Sequence, residues 1–99
     1  MQNKIFLITY HAKPNKTFED YEDFGGAHVN CWIEESSAEN AEKIAQKEIE
    51  EYNWHVKTLD EIIEVDEEFY SEEDPKRQYF EQALLDKVVM LFYTYPRKT

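Results

Sequence analysis

The chain has 99 residues, of which 41% are hydrophobic and 15% aromatic, so it holds enough apolar material for one packed domain over residues 1–99 and is too short for two. Its 22 acidic and 11 basic residues give a formal net charge of -11, which argues against nucleic acid as a partner because a phosphate backbone would be repelled. No apolar stretch is long enough to cross a membrane or to act as a signal peptide, and a single cysteine excludes an intramolecular disulfide. We therefore expect a cytoplasmic protein.

The first two predicted elements are β-strands. Residues 4–11 (KIFLITYH) are rich in β-branched and aromatic residues and stop before Pro14, and residues 28–35 (HVNCWIEE) alternate between core-type and polar side chains. The connection over residues 14–26 is long for a hairpin and carries aromatic residues spaced three apart among acidic ones. It is either a loop pinned by its aromatic side chains or a lid beside the two strands.

A helical period follows from Ser36 to Tyr52. One stripe of this segment is apolar and comprises Ala38, Ala41, Ala45, Ile49 and Tyr52. Ser36 can cap the first turn, with Glu39 three residues later completing a capping box. Asn53 follows where helices commonly end in the left-handed region. The pattern therefore predicts a helix over residues 36–52.

The next segment is a predicted third strand over residues 54–59. Residues 61–65 either extend this strand past a bulge or return as the second strand of a hairpin. Asp74 followed by Pro75 is typical of a helix start, with an N-cap and a proline at the first helical position. We predict a short helix over residues 75–86.

The last predicted strand covers residues 88–95 (VVMLFYTY), which are apolar on both faces and are followed by Pro96. The order of elements predicts an α+β fold: a two-layer sandwich in which two helices cover one face of a mixed, mostly antiparallel four-stranded sheet. If residues 54–65 form a hairpin, the last two-thirds of the chain has the order βαββαβ, which is the ferredoxin-like arrangement.

The only cysteine raises the question of a chemical site with its neighbour His28. Cys31 lies three residues after His28, and residues an odd number apart in a strand point to opposite faces. The two side chains therefore cannot share a metal ion or a proton in regular geometry. Cys31 shares its face with Val29 and Ile33, so we predict a buried core cysteine.

The apolar pattern also predicts how the first two strands pair. A register with Ile8 opposite Cys31 places an all-apolar set on one face and His11 opposite His28 on the other, whereas a one-residue slip would mix the two sets. A face this apolar is expected to be covered by something. The residues that we predict as a binding surface or interface on this second face are Leu7, Thr9, His11, His28, Asn30 and Trp32.

The sequence also contains a histidine pair and a long acidic run. The pair His11 and His28 lacks a third metal ligand at a recognisable spacing, so we expect no metal and no cofactor. Residues 60–74 contain nine acidic residues and no basic one. Such a run is either a solvated face or a surface suited to a basic partner.

The sequence is compatible with two functions. The first is a non-enzymatic binding or regulatory module that acts by forming a homodimer or by binding a protein partner, for example as an inhibitor or immunity-type protein that masks a basic active site. In this hypothesis Trp32 anchors the interface. The alternative is a small enzyme with a pocket under the 14–26 loop, where His11 or His28 would act as general base. The chain has no recognised catalytic signature, which favours the first hypothesis.

Overall fold

The computed structural model describes residues 3–16 and 23–96. The described elements are β1 (Lys4–Pro14), β2 (Phe24–Glu35), α1 (Ala38–Glu51), β3 (Trp54–Val65), a single 3₁₀ turn (Glu67–Phe69), α2 (Arg77–Asp86) and β4 (Val88–Pro96). The strands form one antiparallel sheet in the order β3-β1-β2-β4. The predicted α+β fold with a four-stranded sheet is confirmed. Residues 17–22 of the predicted 14–26 loop lie outside the described residues.

The ends of α1 follow from local capping. The hydroxyl of Ser37 accepts a hydrogen bond of 3.2 Å from the backbone N–H of Asn40, so the cap is one residue later than the predicted Ser36. The hydroxyl of Ser36 instead donates to the carboxylate of Glu35. At the other end Asn53 has a φ of 68°, the left-handed conformation expected there.

The third strand is continuous from residue 54 to residue 65. Its pairing with β1 shifts register twice, between Thr9 and Tyr10 and between His11 and Ala12, which leaves Asp60 and Lys57 without partners on β1. The two bulges therefore occur at Lys57 and Asp60, the two polar residues of β3 that have no partner on β1. Because no hairpin forms here, the ferredoxin-like arrangement is not confirmed.

The main core lies between the sheet and α1, on what we call the α1 face. Ile8 pairs with Cys31 and His11 pairs with His28, so the predicted register of β1 and β2 is confirmed. Three residues of α1 are fully buried against this face. They are Ala41, Ala45 and Ile49. The small alanines bring the helix close to the strands, and this explains the apolar stripe in the sequence.

The second helix lies on the opposite side of the sheet, the α2 face, so the prediction that both helices cover one face is wrong. Phe80 and Ala83 of α2 pack in a separate buried cluster with Trp32 and Ile5. These strand residues point away from Ile8 and Cys31 of the main core. The apolar residues on both faces of β1 and β4 therefore required a helix on each side.

Candidate functional site

Helix α2 covers only part of its face, and the predicted interface residues are divided accordingly. Leu7 packs against the buried cluster under α2, and Trp32 belongs to that cluster. The other four lie further along the same strands, in the part that α2 does not reach; they are Thr9, His11, His28 and Asn30. We call this part of the sheet the open half of the α2 face. The interface role of these four residues stays a prediction.

Trp32 holds α2 on the sheet. Its side chain is 0% exposed, its indole N–H donates a hydrogen bond of 2.8 Å to the hydroxyl of Tyr70, and its ring centroid lies 5.2 Å from that of Tyr79. A partner protein cannot contact this buried ring while α2 is in place. Trp32 therefore stabilises the fold as a core residue. The sequence predicted an interface role because both helices were expected on the opposite face of the sheet, which would have left Trp32 uncovered.

The open half carries a cluster of three aromatic rings. The rings of His11 and His28 stack with centroids 5.2 Å apart, and Tyr95 of β4 packs against both at 5.9 and 6.0 Å. His11 Nε2 and Tyr95 Oη share a hydrogen bond of 2.5 Å. Beside this cluster the hydroxyl of Thr9 donates to Asn30 Oδ1 at 3.1 Å. The sequence predicted the histidine pair, and the enzyme alternative placed a tyrosine of the last strand near it without identifying Tyr95; β4, which carries Tyr95, pairs with β2 and not with β1.

Gly26 explains how Tyr95 reaches the histidines. The phenol ring of Tyr95 lies directly over this glycine, and a Cβ atom at position 26 would stand 2.6 Å from Tyr95 Cζ and 3.0 Å from the carbonyl oxygen of Ala12. No described glycine has a positive φ, so Gly26 is required here for close approach and not for a left-handed backbone. Gly26 lies within β2, near its start.

Replacing Gly26 with alanine is expected to displace the ring of Tyr95 from β2 while the sheet persists, because the atoms closer than 3.0 Å to the new Cβ belong to the far end of a side chain on an edge strand, and the Ala12 carbonyl oxygen at 3.0 Å needs to move only slightly. The ring-to-ring NOEs between Tyr95 and His11 in NMR spectra should then disappear. Tyr95→Phe is the matched control, since it removes the hydrogen bond but keeps the ring in place. Retention of these NOEs in Gly26→Ala would show that the ring does not depend on the glycine.

A basic pocket adjoins the aromatic cluster through Lys13. The ammonium of Lys13 donates to the carbonyl oxygen of Gly25 at 2.8 Å and to the hydroxyl of Tyr95 at 3.3 Å, and it lies 5.5 Å from the centroid of the Tyr95 ring. The pocket beside it has a volume of about 430 Å³. Its described lining residues are Lys13, Pro14, Asn15, Lys16, Gly25, His55 and Lys57. The sequence did not indicate this group, because the pairing of β1 with β3 brings it together.

Cys31 plays no part in either group. Its side chain is fully buried beneath α1 on the other face of the sheet, as predicted, and burial raises the pKa of its thiol to about 12. Among the described residues no three His, Cys, Asp or Glu side chains come together as a metal site. The alternative of an enzyme pocket under the 14–26 loop stays a hypothesis, since residues 17–22 lie outside the described part of the chain.

No protein-family model, no curated protein and no solved structure matches this chain. Within residues 3–16 and 23–96, neither helix has the length and apolar character needed to cross a bilayer.

Proposed function

We propose that the protein is a cytoplasmic, non-enzymatic binding module that self-associates, and that two copies pair through the free edge of β4. The observation that carries this proposal is the composition of that edge. Residues 88–95 contain no charged side chain in a chain whose net charge is -11, and β4 is the outermost strand on its side of the sheet. A long, apolar, unpaired edge strand readily pairs with another strand.

The pairing of β4 with β2 indicates which backbone groups are available to a partner. The backbone N–H of Glu34 donates to the carbonyl oxygen of Lys87 at 2.8 Å. Hydrogen-bonded pairs in an antiparallel ladder recur at every second residue, so Val89, Leu91 and Tyr93 exchange their hydrogen bonds with β2. The residues whose N–H and C=O groups then point outward are Val88, Met90, Phe92 and Thr94. A partner strand would bind these groups.

A groove runs beside the same strand on the α1 face. It has a volume of about 310 Å³ and is lined by Glu48, Tyr52, Val88, Met90 and Phe92. It remains open because α1 packs over the other strands, and the side chain of Tyr52 at its wall is 57% exposed. A second copy paired along β4 would cover apolar side chains of this groove and gain the free energy of their burial.

The opposite edge of the sheet is neither regular nor uncharged. The outer strand there, β3, is bulged at two places and carries exposed charged residues along its length. These residues are Lys57, Asp60, Glu61 and Glu64. Bulges and charges are the features by which native proteins prevent edge pairing. Association is therefore expected at β4 and not at β3.

A second copy is the occupant that fits best. Two β4 strands related by a two-fold axis run antiparallel, so the same residues meet from both sides and the interface is self-complementary. Neither strand brings a charge into the pairing. The remaining acidic surfaces repel each other over about 8–10 Å at moderate ionic strength, so added salt should strengthen the dimer.

Met90→Lys tests this proposal, because it places a charge in the middle of the pairing edge. We expect sedimentation equilibrium to give twice the 12.0 kDa chain mass for the native protein and the mass of one chain for the variant. Leu59→Lys is the matched control: it adds the same charge at an exposed apolar residue on β3 and should leave the dimer intact.

Thr94→Pro serves as a second variant, since it removes an outward N–H at an exposed position of an edge strand, where proline is tolerated. It should also yield single chains while the circular dichroism spectrum stays native. A monomeric native protein, or a dimer that survives both substitutions, would contradict the proposal.

A further inference from the structure

We propose that the basic pocket binds the phosphate group of a small molecule. Three of the eleven basic residues of the chain line this one pocket, and none of its described lining residues is acidic. The three are Lys13, Lys16 and Lys57. In a chain with a net charge of -11 the described lining of this pocket reverses the sign of the charge, and such a concentration of like charge in a cleft attracts an oppositely charged ligand.

The lysines of the pocket lack anionic partners among the described residues. The ion pairs in residues 3–16 and 23–96 belong to Lys4, Lys43 and Arg77. The ammonium of Lys13 donates to two neutral oxygens, the carbonyl of Gly25 and the hydroxyl of Tyr95, which fix its position without any anionic partner from residues 3–16 or 23–96. An ammonium held in this way is prepared for a charge-assisted hydrogen bond to an oxyanion.

The paired strands β1 and β3 bring basic side chains to the same pocket. His55 pairs with Lys13 across the sheet, whereas Lys57 is the extra residue of a bulge and has no partner on β1. Both side chains line the pocket together with Asn15. Several lysine, imidazole and amide groups that approach from two strands suit a tetrahedral group with several acceptor oxygens.

The volume and surroundings limit the size of the ligand. A pocket of about 430 Å³ has room for a phosphate group and an organic part. The ring of Tyr95, which Lys13 contacts, packs against the exposed ring of His28 just outside the pocket, where the organic part of a ligand would lie. A nucleic-acid strand would extend beyond the pocket into the acidic remainder of the surface. The chemical class is therefore a phosphorylated small molecule.

The test uses AMP, inorganic phosphate and adenosine as probes, titrated into the ¹⁵N-labelled full chain and followed by NMR. AMP should shift the backbone signals of Lys13, Gly25 and His55 in a saturable way, and adenosine should not. Binding of inorganic phosphate with equal affinity would identify the free ion as sufficient, and tighter binding of AMP would identify a phosphate ester; both outcomes support the proposal. Equal shifts from adenosine and AMP, or none from AMP and phosphate, would overturn it.

Two variants with the same change of charge locate the site. Lys57→Glu should weaken AMP binding at least roughly tenfold, as expected for the loss of a charge-assisted hydrogen bond. Lys43→Glu, on α1 beside Glu39, should leave the affinity unchanged. An equal loss in both variants would mean that AMP senses only the net charge, and the pocket would then not be the site. Because none of the described lining residues of the pocket belongs to β4, the same titration in Met90→Lys separates this proposal from self-association.

Discussion

Trp32→Ala is expected to lower the free energy of unfolding by about 3–5 kcal/mol, the cost typical of truncating a large aromatic side chain in a core. The indole ring is fully buried, it fills the cluster between α2 and the sheet, and its N–H donates to Tyr70. Neither helix α1 nor a partner chain can replace these contacts. Urea denaturation followed by circular dichroism measures the loss directly.

Two controls separate the packing of Trp32 from its hydrogen bond and from helix α2 in general. Tyr70→Phe leaves the indole N–H buried without its acceptor, which should cost about 1–3 kcal/mol. Leu85→Ala truncates a residue of α2 that is 79% exposed, and it should change the free energy of unfolding by less than about 0.5 kcal/mol. If Trp32→Ala unfolds at the same urea concentration as the native protein, the second cluster does not stabilise the fold.

Stability is also expected to fall steeply above pH 9. Burial raises the pKa of the Cys31 thiol from 9.0 to about 12, and burial likewise raises the pKa of the Tyr10 hydroxyl from 10.0 to about 12. Between these values the folded chain retains a proton that the unfolded chain loses, so rising pH favours unfolding. Each group contributes a loss of about 1.4 kcal/mol per pH unit within its window, on the order of 4 kcal/mol for Cys31 by pH 12.

Urea denaturation at pH 8, 9, 10 and 11 measures this dependence. At and below pH 8 both groups are largely protonated in both states, and the native protein and Cys31→Val should show parallel behaviour. Above pH 9 Cys31→Val should lose stability less steeply than the native protein, and Tyr10→Phe should reduce the slope above pH 10. Identical slopes for the native protein and Cys31→Val up to pH 11 would contradict the assignment of a raised thiol pKa.

The secondary-structure elements and the register of β1 with β2 were predictable where the apolar pattern of the sequence excluded the alternatives. The pairing of His11 with His28 followed from the apolar residues alone, because any one-residue slip would have placed polar side chains in the core. Helix α2 was likewise visible from its apolar spacing, but its start was not: it begins at Arg77 after the cap residue Lys76, two residues later than the predicted Pro75. The face of the sheet on which this helix packs was not predictable. The periodicity of a helix shows which of its own faces is apolar, but it does not show which face of the sheet the helix contacts.

The remainder of the candidate site depends on contacts between distant parts of the chain. Tyr95 reaches His11 only because β4 lies beside β2 and Gly26 leaves room for its ring. Lys57 enters the basic pocket through a bulge whose position no local pattern of the sequence indicates. The uncharged run over residues 88–95 was visible in the sequence, but its importance as a free edge depended on the order of the strands.

The order of the strands also bears on how the chain acquires its structure. The central strands β1 and β2 are neighbours in sequence, whereas each outer strand joins the sheet through a helix, β3 after α1 and β4 after α2. Most strand contacts therefore close long loops, which slows folding. Until β4 docks, β2, which carries Trp32, is itself an unpaired edge, so intermediates that lack β4 are the species most prone to aggregate during refolding.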